Sequence, residues 1–253
     1  MIKANFVDSD RFERMKRIEW IDMEGIRNSR CLVVGAGALG NEVVKNLVLS
    51  GFRDITLVDS DDITLSNLSR CMFFREADVR TVKKAEIVAE RASDLDADCR
   101  ISPKVCEIQS VDDWDYDIVI GCLDNIKARL HVNAHAYYRG IPYIDGATDG
   151  MAGKVQTILP GGPCYECCLN RSHVESQETH FTCTGNGHAF VPKIASDITT
   201  TAVVAGMQVR EAMKIASGRA DMCIGGICYY DGVAGTAEVY EVSLNPSCPN
   251  HTE

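Results

Sequence analysis

The stretch Cys31-Leu-Val-Val-Gly-Ala-Gly-Ala-Leu-Gly40 decides how this 253-residue chain folds. An apolar run of β type ends in a G-x-G-x-x-G turn, and a helical pattern follows at once from Asn41 to Leu49. A second apolar run, Ile55 to Val58, ends on Asp59, about 20 residues past the last glycine, the spacing of a dinucleotide-fold fingerprint. The spacing has a mechanical reason. Gly35 permits the tight turn, Gly37 lets backbone N–H groups approach a phosphate, and Gly40 lets helix and strand pack closely. Asp59, at the end of the second strand, can accept hydrogen bonds from ribose hydroxyls. The pattern predicts a site for an adenosine-type nucleotide.

The residues after Asp59 do not suit a hydride-transfer enzyme. They run Ser60-Asp-Asp-Ile-Thr-Leu-Ser-Asn67-Leu-Ser-Arg70, then a basic pair, Lys83 and Lys84, and then Cys122-Leu-Asp124-Asn125 after a third apolar run. A nicotinamide cofactor has no need of this polar series, whereas a triphosphate does. Arg70 and a lysine can neutralise phosphate oxygens, Asn67 can donate a hydrogen bond, and Asp124 can hold Mg²⁺.

The wider pattern alternates strands and helices. Helical periodicity falls on residues 1–28, 82–92, 127–139 and 195–216, the last with Ser196 or Asp197 as cap and Gly218 as stop. Apolar runs fall on 31–34, 55–58, 100–108 and 117–123. Further strands are expected from Pro142 to Asp145 and from Lys154 to Leu159, with a hairpin from Cys223 to Asp231 and Thr236 to Ser243. The expected fold is α/β and Rossmann-like: a largely parallel sheet, helices on both faces and an antiparallel C-terminal part. Residues 1–28 read as a helical arm, 29–253 as a single domain, and 168–192 as a functional loop without regular structure.

Composition narrows the function classes. The net charge of −10 argues against a nucleic-acid partner, and no apolar run reaches the roughly 18 residues of a membrane span. The N-terminus lacks a secretory pattern, so a cytoplasmic protein is expected. In that compartment the 12 cysteines predict reduced thiols, metal ligands or a nucleophile rather than disulfides. Cys31, Cys122, Cys223 and Cys228 lie in apolar runs and are expected in the core. Cys164-Tyr-Glu-Cys167 and Cys248-Pro-Asn-His251 supply three thiolates and an imidazole, the ligand set of a closed structural Zn²⁺ site. Cys168 is a competing ligand.

Taken together, these motifs, with Arg129 and Tyr143-Ile-Asp-Gly-Ala-Thr-Asp-Gly150, resemble the adenylation domain of the ubiquitin-activating enzyme superfamily, the MoeB/ThiF-type fold. The similarity runs from about Arg11 to the C-terminus. Its phrasing is closest to catalytic subunits of eukaryotic activating enzymes. The resemblance implies ATP-dependent adenylation of the C-terminal glycine of a ubiquitin-like protein, followed by thioester formation and transfer to a conjugating enzyme. Sulfur-carrier adenylation is the alternative, and a non-catalytic subunit of a heterodimer the second alternative. By motif position, Asp59 and Asp61 would lie at the nucleotide, Asn67, Arg70 and Lys83 at phosphates, and Asp124 at Mg²⁺. Lys84 is the runner-up to Lys83, because Arg80 stands where a glycine is usual. Arg14, in an R-x-x-R with Arg11, would reach the neighbouring subunit's site, which implies a homodimer. Cys183, with His180 and His188 nearby in sequence, is the candidate nucleophile. The family's second metal pair is usually C-x-x-C, so a histidine replaces the last cysteine here.

Overall fold

The computed structural model describes residues 10–169 and 195–251. Five strands run parallel: β1 (Arg30–Val34), β2 (Asp54–Val58), β3 (Arg100–Lys104), β4 (Ile118–Gly121) and β5 (Tyr143–Asp149). Three more continue the sheet antiparallel: β6 (Ala152–Ile158), β7 (Gly226–Asp231) and β8 (Thr236–Glu241). The spatial order is β3-β2-β1-β4-β5-β6-β7-β8. The chain turns outward from β1 in both directions. The crevice between the carboxyl ends of β1 and β4 is therefore the topological switch point, where ligands bind in open α/β sheets.

The inner strands β1, β2 and β4 are apolar almost without interruption because both faces are covered. Cys31 and Val33 face one core with Ile55, Leu57, Ile118, Ile120 and Ile144. Leu32 and Val34 face the other with Val58, Val119 and Tyr143. The first core is closed by α2 (Ala38–Leu49), α3 (Lys84–Ser93) and α5 (Ile198–Ala216). The second is closed by α4 (Ile126–Tyr138) together with Trp114. Each fully buried Ile, Leu or Val contributes about 1.5–3 kcal/mol, so the two alternating sets hold register firmly: a one-residue slip would exchange them.

The arm differs from expectation. Among the described residues there is no continuous helix before β1, only a 3₁₀ turn at Met15–Arg17 and the short α1 (Met23–Asn28). Asp22 is the reason for the restart. Its backbone is extended and its carboxylate accepts from Glu24 N (2.9 Å), an N-cap that ends one segment and opens the next. Phe12 is buried in the first core and Arg11 pairs with Asp96 (3.1 Å). The third strand stops at Lys104, short of Ile108, where a 3₁₀ turn (Ile108–Ser110) leads to Trp114. Asp197, not Ser196, caps α5, accepting from Thr200 N (2.9 Å). Cys31 and Cys228 are buried as expected, whereas Cys122 and Cys223 are only half-buried. No helix among the described residues is long and apolar enough to cross a membrane.

Candidate active site and metal centre

The turn after β1 separates two kinds of glycine. Gly35 has φ 103°, and a Cβ there would lie 2.4 Å from Cys122 O. A Cβ at Gly40 would lie 1.9 Å from Gly35 O. Both are required by the fold itself. Gly37 is not: its φ is −71°, and a Cβ there would meet nothing within 4 Å. Gly37 is also the N-cap of α2 and makes no side-chain cap. The first intrahelical donor is Asn41 N, bonded to Gly37 O (2.9 Å), so the N–H groups of the first turn face the open space in front of Gly37. The positive end of the helix dipole points the same way, which suits a phosphate.

Asn41 was not singled out by the sequence pattern, yet it holds this turn. It is fully buried, donates to Ala36 O and Gly37 O (both 2.9 Å), and accepts from Phe73 N (3.1 Å). A polar residue on an otherwise apolar helix face, directly after the last glycine, was the available signal.

Asp59 follows β2 and bridges two loops. One oxygen accepts from Ala36 N (2.7 Å) and the other from Asp61 N (2.8 Å). Burial pushes its carboxyl pKa up, and the nearby Lys84 opposes that shift. The two lysines diverge. Lys84 Nζ reaches Asp61 Oδ2 (2.7 Å) with its side chain only 12% exposed. Lys83 turns away to Asp62 Oδ1 (2.8 Å) and Ser60 O (3.1 Å). The left-handed backbone of Arg80 (φ 60°) and the Asp62–Lys83 bridge set that register. The structure therefore brings Lys84, the runner-up, toward Asp59 and Asp61, and leaves Lys83 on the outer side.

Asn67 is buried, its carbonyl oxygen taken by Thr64 N (2.9 Å) and Thr64 Oγ1 (3.1 Å), which leaves its amide N–H₂ to donate. Arg70 is half-buried and folds back to Ser66 O (2.7 Å). Asp124 is exposed in the turn between β4 and α4 and has one long contact, from Asn125 Nδ2 (3.4 Å). Asn125 caps α4 through Ala128 N (2.8 Å). Arg14 is exposed. Cys183, His180, His188 and nearly all of the 168–192 loop lie outside the described residues.

Behind Asp124 lies a buried ion pair whose partners the sequence motifs contain without showing their pairing. Arg129 and Asp145 are 5% and 0% exposed. Arg129 Nη1 bonds both Asp145 oxygens and Gly146 O (3.0 Å), while its Nη2 donates to Leu123 O. Tyr143 Oη donates to Asp145 Oδ1 (2.8 Å). Burial alone would lower the arginine pKa; the carboxylate beside it outweighs this and raises it. The guanidinium thus fixes the Leu123 carbonyl and with it the turn that carries Asp124. On the opposite face Gln208 Nε2 ties Gly121 O (2.8 Å) to Ile144 O (3.2 Å), locking the ends of β4 and β5 together.

The four expected metal ligands converge. Cys164 Sγ lies 3.9 Å from Cys167 Sγ and 3.5 Å from Cys248 Sγ, and Cys167 Sγ lies 3.1 Å from His251 Nε2. All four donor atoms lie within 4.8 Å of one another. A tetrahedral ion with ligands at about 2.0–2.3 Å sets donors about 3.3–3.8 Å apart, so the set fits Zn²⁺ with no position left open. Cys168 does not join them: its sulfur accepts from Gln156 Nε2 (3.1 Å) instead. Bound there, the ion would tie the 3₁₀ turn Tyr165–Cys168 to the tail at Cys248–His251, which are 84 residues apart in the case of Cys164 and Cys248.

The NEDD8-activating enzyme E1 catalytic subunit of Dictyostelium discoideum is 36% identical over 204 residues, which cover 74% of this chain and 45% of that relative. This chain thus spans less than half the length of that protein. The molybdopterin-synthase adenylyltransferase of Escherichia coli is 29% identical over 253 residues, 94% of each chain. Among solved structures, E. coli MccB with AMPCPP and MccA has the same fold, with a TM-score of 0.77 over 98% of this chain and 75% of that one at 19% identity. The family match itself runs from residue 10 to residue 250, and on that ground the chain belongs to the ThiF family.

Proposed function

We propose that this chain is an adenylating enzyme that transfers the AMP moiety of ATP to the C-terminal glycine carboxylate of a ubiquitin-like or sulfur-carrier protein. The observation that carries the proposal is the open space at Gly37, which no packing demand explains and which lies at the N-terminus of α2, next to Ala36, whose N–H is held by Asp59 (2.7 Å). The names of the two relatives, one an activating enzyme and one an adenylyltransferase, support it.

The chemistry suits such a site. A C-terminal carboxylate is ionised at pH 7, so no base is needed. Its oxygen attacks the α-phosphorus, the bond to the bridging oxygen of the β-phosphate breaks, and pyrophosphate leaves with the electron pair. The obstacle is anion against anion, about 4 kcal/mol for two unit charges 4 Å apart at an effective dielectric of 20. Lys84, Arg70 and the Asn67 amide would offset phosphate charge, while Asp59 would take the ribose and Asp61 would hold Lys84. Asp124, exposed and without a strong partner, fits a hard cation, and Mg²⁺ held there would supply further charge neutralisation. The Arg129–Asp145 pair positions that turn. In a protein of net charge −10, these few cations must act locally.

A ubiquitin-like modifier, passed as a thioester through Cys183 to a conjugating enzyme, is the first reading of the carrier. Arg14 of a second copy would complete the pocket in a homodimer. Sulfur-carrier adenylation is the second reading, favoured by the 94% mutual coverage with the E. coli adenylyltransferase. The test is pyrophosphate–ATP exchange with candidate carriers ending in glycine. Exchange is expected only when a cognate carrier is present, and a thiol-sensitive band on non-reducing gels, lost in Cys183→Ala, separates the first reading from the second. Absence of carrier-dependent exchange across ubiquitin-like and sulfur-carrier proteins alike would overturn the proposal.

A further inference from the structure

The metal centre has a feature that its ligand set alone does not require. His251 Nδ1, the nitrogen turned away from the cysteines, lies 2.8 Å from the hydroxyl of Tyr137. The two rings meet edge to face, with centroids 4.9 Å apart and planes at 83°. Tyr137 sits on α4, 114 residues earlier in the chain. A neutral imidazole carries one N–H and one lone pair, and the group that binds the N–H decides which nitrogen is left for a metal. With Nε2 facing Cys167 Sγ (3.1 Å) as a metal ligand, the proton would sit on Nδ1, and the phenol oxygen 2.8 Å away would accept it. A thiolate at the same position would need no such partner, because it has no tautomer to fix.

From this geometry we infer that Tyr137 is a positioning residue for the metal centre: it selects the Nε2-binding tautomer of His251 and seats the C-terminal tail on α4. One further contact places the knuckle on the same helix, and two more complete its polar surroundings. Asn133 Oδ1, one turn before Tyr137, accepts from Tyr165 N (2.8 Å). Asn250 Nδ2 donates to Cys164 Sγ (3.4 Å) and to Glu166 Oε2 (3.0 Å). The helix so gripped at its C-terminal half carries Arg129 and the Asn125 cap in its first turns. The metal centre and the turn bearing Asp124 are thus fastened to one rigid element. This inference depends on the Cys₃His set and not on which carrier protein the chain serves.

The test uses the full chain and Zn²⁺ alone, with affinity measured by competition against a chromophoric chelator. Tyr137→Phe keeps the ring and removes the hydroxyl, and is expected to weaken Zn²⁺ binding by about 10- to 100-fold, the usual effect of losing such an outer partner. In a His251→Cys background the same change should alter affinity by less than about threefold, since a thiolate needs no tautomer. A merely structural tyrosine would lower affinity equally in both backgrounds, and that result overturns the inference. So does an unchanged affinity in Tyr137→Phe. Where His251→Cys does not hold zinc, ¹⁵N NMR of the zinc-loaded parent decides: a protonated Nδ1 whose exchange quickens in Tyr137→Phe supports the assignment, and a metal-bound Nδ1 overturns it. A parent chain that takes up no Zn²⁺ overturns it as well, while leaving the adenylation proposal standing.

Discussion

Lys84→Ala lowers carrier-dependent pyrophosphate exchange by about two to three orders of magnitude, whereas Lys83→Ala stays within about threefold of the parent; these are the expected results of separating the adjacent lysines. Removing one preorganised donor aimed at developing charge costs about 10²–10³ in rate in a water-poor site. Lys84 meets that description. Its side chain is 12% exposed, its ammonium is held by Asp61, and its charge is felt by the half-buried Asp59. Lys83 is 37% exposed and already neutralised by Asp62, which is itself open to water. An exposed pair of that kind contributes about 0–1 kcal/mol to stability, so its loss should be nearly silent. Steady-state exchange at saturating ATP, with thermal melts as a check on folding, distinguishes the two. Equal losses in both variants would mean that the turn at Arg80 rearranges when ATP binds.

The second large effect concerns the ion pair behind Asp124. Asp145→Asn strands a buried guanidinium, and Arg129→Met strands a buried carboxylate. Breaking one side of such a pair costs about 3–5 kcal/mol, because the remaining charge keeps its desolvation penalty and loses its partner. Urea unfolding should show each single variant destabilised by about that amount. The double variant Arg129→Met with Asp145→Leu leaves no buried charge, so it should recover much of the stability. It should not recover exchange activity, since no donor then holds the Leu123 carbonyl. Single variants as stable as the parent would show that water enters the site and solvates the pair, against the burial seen here.

The parts legible from sequence were those written in local periodicity. Continuous apolar runs announced strands covered on both faces, and the glycine spacing announced the turn at the switch point. The Cys₃His cluster was legible because C-x-x-C and C-x-x-H each place two candidate donors on a single turn; the structure adds that the two turns meet. What was not legible depends on distance or on one backbone angle. The choice between Lys83 and Lys84 hangs on the left-handed Arg80, a residue type that rarely adopts that region. The pairing of Arg129 with Asp145 joins a helix to the next strand, and no periodicity records it. The arm reads as one amphipathic helix from Phe12, Met15 and Ile18, yet the Asp22 cap breaks it. Asn41 looked like an ordinary polar residue at the start of a helix until its three partners were visible.

The central claim is that nucleotide phosphates occupy the space in front of Gly37, and Gly37→Val tests it most directly. With φ at −71° and nothing within 4 Å of the new Cβ, the side chain fits the free protein. The weaker N-cap should lower stability by no more than about 1 kcal/mol. Calorimetric titration with ATP in the presence of Mg²⁺ should then show binding weakened by about 100-fold or lost, in a protein that still melts cooperatively close to the parent temperature. A Gly37→Val protein that binds ATP as tightly as the parent would place the phosphates elsewhere and contradict the account.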